Sequence, residues 1–80
     1  MLTPQQSRAG RGLLDWSQER LAQAAGVSLS TVRDFEKGRR TPIPNNLSAI
    51  RAALEAAGVQ FIAENGGGAG VRLAKPGEAG

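Results

Sequence analysis

The chain has no cysteine, no histidine and no tyrosine among its 80 residues. Without cysteine it can form neither a disulfide nor a thiolate metal site, and it has no thiol nucleophile. Without histidine it lacks the commonest metal ligand and the commonest general base near neutral pH. Carboxylates and lysines remain for acid–base chemistry, but none falls in a catalytic spacing. The expectation is a non-enzyme with no metal and no cofactor. No apolar run approaches the ~18–20 residues of a membrane span. The opening MLTPQQSRAGRG is polar and lacks a signal-peptide core. The expected location is therefore the cytoplasm, with no membrane partner. A chain this short makes one domain of thin stability. It has no room for a separate effector domain, so no small-molecule ligand is expected.

What charge there is lies unevenly. Up to Arg40 the basic residues are Arg8, Arg11, Arg20, Arg33, Lys37, Arg39 and Arg40, against Asp15, Glu19, Asp34 and Glu36. Beyond it, Arg51, Arg72 and Lys75 balance Glu55, Glu64 and Glu78. The whole net charge of +3 thus belongs to the first half, densest over Arg33–Arg40. That density fits a polyanionic partner, or a solvated surface that keeps the protein dispersed.

Capping signals divide the chain. Thr3, Pro4 and Gln6 make a capping box with proline at the first helical position, and predict a helix to about Leu14, weakened by Gly10 and Gly12. Ser17 caps a second helix, Gln18 to Ala25, with Trp16 and Leu21 placed as a hydrophobic staple and Gly26 as the stop. Ser28 caps a third, Leu29 to Lys37, stopped by Gly38. Only Gly26, Val27 and Ser28 join the two, which forces a steep crossing. Arg39 to Pro44 reads as a loop punctuated by Pro42 and Pro44. Asn45 or Asn46 is expected to cap a fourth helix ending near Ala57, with Leu47, Ile50, Leu54 and Ala57 on one face. Val59–Ile62 and Val71–Leu73 then alternate like the strands of a hairpin. The glycine-rich stretch Glu64–Gly70 between them has no following GK[ST] and does not lead into a helix, so it reads as a hairpin loop rather than a phosphate loop.

The segment QERLAQAAGVSLSTVRDF, Gln18 to Phe35, carries the functional signal. Leu21, Ala22 and Ala25 face inward from the second helix, and Val32 and Phe35 from the third. Ala22 must be small where the helices cross. At about 100° per residue, Thr31, Val32 and Phe35 form the inward arc of the third helix. Leu29, Ser30, Arg33 and Lys37 form the outward one, with Asp34 at its edge. Short hydroxyls come first and basic groups later, so the helix N-terminus can approach base edges closely. This spacing, with the caps, the glycines and the following EKGRRTP, resembles the helix-turn-helix of the Cro and phage-repressor superfamily, also called the xenobiotic-response-element type, from Leu13 to about Ala57.

The resemblance implies a role for each matching position. Ser28, Leu29, Ser30, Arg33 and Asp34 would meet bases or adjacent phosphates. Arg33 can donate twice to a guanine. Leu29 either touches a thymine methyl or packs on the second helix. Asp34 either accepts from cytosine or orients Arg33. Gln18 would meet a phosphate at a helix N-terminus. Lys37, Arg39, Arg40, Asn45 and Asn46 would follow the phosphate backbone. Arg11 and Glu36 match positions that form an internal ion pair; the alternative is that both are exposed.

The expected fold is mainly α: a four-helix repressor-like helix-turn-helix domain over 1–58, a C-terminal β-hairpin over 59–74, and a disordered tail over 75–80. The expected function is a transcriptional regulator, a repressor that binds a double-stranded DNA operator as a homodimer. Val59, Phe61, Ile62, Val71 and Leu73 of the hairpin are the candidate dimer contact. An antitoxin or protein-binding adaptor on the same fold is the alternative.

Overall fold

The computed structural model describes residues 2–63 and 66–74. The expected tail 75–80 and part of the glycine-rich loop lie outside the described residues. The order is α1 (Pro4–Leu14), α2 (Gln18–Ala25), α3 (Leu29–Glu36), α4 (Pro44–Ala56), β1 (Val59–Ile62) and β2 (Gly70–Leu73). The strands pair antiparallel, with Val59 opposite Leu73 and Phe61 opposite Val71.

Local chemistry explains the helix starts. Thr3 and Gln6 form the reciprocal capping box, and Pro4 occupies the first turn. Asp15 ends α1 in the left-handed conformation (φ 56°), which a short polar side chain tolerates better than most. Two boundaries correct the sequence reading. Lys37 is the cap of α3 rather than its last residue. Neither Asn45 nor Asn46 caps α4; the helix starts at Pro44, with Ile43 in the capping position and no side-chain hydrogen bond. Proline is the reason: its fixed φ and missing N–H suit the first position of a helix, so Pro44 opens the helix instead of ending the loop.

One core holds all the elements. Leu21 and Ala22 of α2, Val32 and Phe35 of α3, and Leu47, Ile50 and Leu54 of α4 are buried together with Leu2 and Val59. The hairpin is therefore built into the bundle. Val59 is 2% exposed, while Phe61 and Val71 are half-buried against the same core. Gln6 fastens the hairpin from the other side. Its Oε1 accepts from Thr3 N–H at 3.0 Å, and its Nε2 donates to the Gly70 carbonyl at 3.2 Å and the Ile62 carbonyl at 3.5 Å. One buried amide thus caps α1 and ties down both strands. Of the five hairpin residues considered for a dimer contact, Ile62 and Leu73 remain exposed.

Candidate nucleic-acid interface

The α2–turn–α3 unit is set by two caps and one glycine. Ser17 Oγ accepts from Arg20 N–H at 3.0 Å, which starts α2. Gly26 (φ 70°) ends it, donating to the Ala22 and Gln23 carbonyls; a left-handed residue here reverses the chain, and glycine adopts it without steric cost. Val27 N–H donates to the Ala22 carbonyl at 3.1 Å, and Ser28 Oγ accepts from Thr31 N–H at 3.1 Å to start α3. Leu21 and Val32 are fully buried and Ala22 nearly so, so the two helices cross on a small residue and a β-branched one.

The crossing leaves one face of α3 in solvent. Ser30, Arg33 and Lys37 are exposed, with Asp34 half-buried beside them. Arg33 has no hydrogen bond or ion pair to any described side chain, Asp34 included, so its guanidinium is available to a ligand. Leu29 is half-buried and packed against the core, so most of that side chain is spent on the fold. Ser28 Oγ is hydrogen-bonded to Thr31 Oγ1 at 2.7 Å and lies 3.2 Å from Ser30 Oγ, which makes the start of the helix small and polar. At its end, Arg39 and Arg40 donate their N–H groups to the Asp34 carbonyl at 2.9 and 3.4 Å. Gly38 (φ 73°) makes this return possible, and both arginine side chains are exposed.

The sequence model of the helix-turn-helix family matches residues 8–57, well over half of the chain. The chain belongs to the Cro/C1-type helix-turn-helix family. As a member it is a DNA-binding regulator. No curated protein matches the sequence. Among the described residues, no helix is long and apolar enough to cross a membrane.

In this helix-turn-helix protein α3 is anchored through a buried charge. Glu36, at the end of α3, is 2% exposed. Its carboxylate forms an ion pair with Arg11 of α1, with Arg11 Nη2 at 2.7 Å from Oε1 and Nε at 2.9 Å from Oε2. Ser7 of α1 donates to Oε2 at 2.6 Å, and Gln18 of α2 donates to Oε1 at 3.1 Å. Arg8 donates to the Glu36 backbone carbonyl, and Arg11 Nη1 reaches the Trp16 carbonyl at 3.0 Å. One carboxylate therefore joins three helices. Burial pushes its pKa up; hydrogen bonds from Arg11, Ser7 and Gln18, together with the Arg11 charge, more than reverse this and hold it below the ordinary glutamate value.

The remaining candidates divide between fold and surface. Gln18 spends one amide hydrogen on Glu36 and keeps a second one, at the N-terminus of α2 where the helix dipole favours an anion. Asn45 is exposed and Asn46 half-buried in the first turn of α4. Sequence reasoning missed Ser7, Arg8 and the contact of Gln6 with the hairpin. A polar residue on a helix gives no periodic signal, and their partners lie more than 25 residues away.

Proposed function

We propose that the protein is a repressor that occupies a specific duplex DNA site, with α3 in the major groove. The exposed row Ser30, Arg33 and Lys37, continued by Arg39 and Arg40, is the observation that carries this reading. Ser30 and Arg33 meet base edges, with Ser28 and Asp34 beside them, while Lys37, Arg39, Arg40, Asn45, Asn46 and Gln18 meet the backbone. The test is binding to duplex DNA across ionic strength. Affinity should fall steeply as salt rises. Arg39→Ala or Arg40→Ala should weaken binding on every sequence and reduce the salt slope by ~1 for each phosphate no longer neutralised. A wild-type affinity that does not change between low and physiological salt would overturn the reading.

The operator is bound by a homodimer. One recognition helix reads few base pairs, and two-fold symmetry doubles the information while placing half-sites about 34 Å apart. Ile62 and Leu73, 41% and 46% exposed, lie on a sheet of only two strands; pairing with a symmetry mate would cover them. Removing the hairpin would also remove Val59 from the core, so the cleaner variant is Ile62→Lys. It should lose cooperative binding to a two-half-site operator and keep single-half-site binding. Wild-type protein that sediments as a monomer at high micromolar concentration, with and without operator, would refute the dimer.

A further inference from the structure

Three helices begin on a hydroxyl that accepts a backbone N–H. Thr3 accepts from Gln6, Ser17 from Arg20 and Ser28 from Thr31, each at 3.0–3.1 Å. The fourth departs from this pattern: α4 begins on Ile43, which offers no side-chain acceptor. An aliphatic residue is among the poorest choices for that position. Nor does the core recover the loss, because Ile43 is 64% exposed, more than any other large apolar residue described. Pro44 follows it and biases its backbone away from the helical region, toward the extended conformation observed, φ −59° and ψ 153°. An exposed apolar side chain that breaks a rule kept by the other three helices is expected where function outweighs stability.

Its position says which function. Ile43 lines a groove of about 250 Å³ together with Ser30 and Asp34 of α3, Arg40 and Asn46. The apolar surface is thus continuous with the face of α3 assigned to DNA. Arg40 in the same groove favours a phosphate there. The group next to a phosphate along a DNA strand is a deoxyribose, whose C–H face is the apolar surface within reach.

We propose that Ile43 is a DNA contact that packs on a backbone deoxyribose, seating the strand between the loop and α3. The proposal rests on the DNA-binding mode given above. An apolar contact with a sugar displaces no counterion and reads no base, so it has its own signature among interface residues. It adds affinity on every sequence and leaves the salt slope unchanged.

Binding of the wild type, Ile43→Ala, Ile43→Leu and Ile43→Ser should be measured on a selected operator and on random duplex over a range of salt, with thermal midpoints alongside. Ile43→Ala should bind roughly threefold to tenfold more weakly on both DNAs, with the wild-type salt slope and melting temperature. Ile43→Leu should bind as the wild type does. Ile43→Ser, which restores a cap, should melt higher while binding more weakly. Unchanged affinity of Ile43→Ala would overturn the proposal. So would a loss confined to one base pair, which marks a base-edge contact, a reduced salt slope, which marks a phosphate contact, or a lower melting temperature, which gives Ile43 to the fold. Wild-type protein that fails to bind duplex DNA removes the binding mode itself and this inference with it.

Discussion

Glu36→Ala is expected to lower stability by ~3–5 kcal/mol. The carboxylate is buried and accepts hydrogen bonds from Arg11, Ser7 and Gln18. Deleting it leaves a guanidinium 19% exposed without its counter-charge and a fully buried Ser7 hydroxyl without an acceptor. A domain of this size has a total stability of about 4–12 kcal/mol, so the variant would lose much or most of it. The thermal midpoint should fall by at least ~12 °C. Whatever fraction stays folded should keep the wild-type base preference, since Glu36 does not reach the exposed face of α3. Replacing both partners, Arg11→Met with Glu36→Leu, should recover part of the loss, because no charge is then stranded. A midpoint within ~2 °C of wild type for Glu36→Ala would show that the cluster contributes nothing to the fold.

The same group makes stability pH-dependent. Its folded pKa lies below the ordinary value, so the folded state holds the proton less tightly than the unfolded chain. The contribution is complete above the unfolded glutamate value of about 4.3 and is lost as pH falls through the lower folded value. Acid titration of the wild type should therefore show a loss that Glu36→Gln lacks.

Arg33→Ala is expected to have the largest effect on recognition. The side chain projects from the exposed face of α3 and is held by no described partner. A guanidinium presented in this way can donate two parallel bonds to the O6 and N7 acceptors of guanine. Its loss should cost ~1–3 kcal/mol on the operator and relax preference at one base pair. Random duplex should be affected far less, and the melting temperature little. Equal losses on operator and random DNA would reassign Arg33 to the phosphate backbone.

The number and order of the helices, the hairpin and the helix-turn-helix unit were legible in the sequence alone. Caps at Thr3, Ser17 and Ser28 and stops at Gly26 and Gly38 act within one turn of the chain, so their effect is written locally. The apolar spacing of α2, α3 and α4 marked the core for the same reason, because periodicity projects one face of each helix inward. The outward row of α3 followed from the inward one. Tertiary structure decided what depends on partners far apart in the chain. The face by which α1 enters the fold is Gln6, Ser7 and Gly10, which no hydrophobic pattern can flag. It is buried because Gln6 meets the hairpin and Ser7 meets Glu36. The choice between paired and exposed Glu36 likewise turned on whether three helices could bring their donors to one point. Pro44 could have ended a loop or opened a helix on sequence alone. In the folded protein it opens α4, where its fixed φ and missing N–H suit the first position, while Leu47, Ile50 and Leu54 turn into the core and Ile43 stays in solvent.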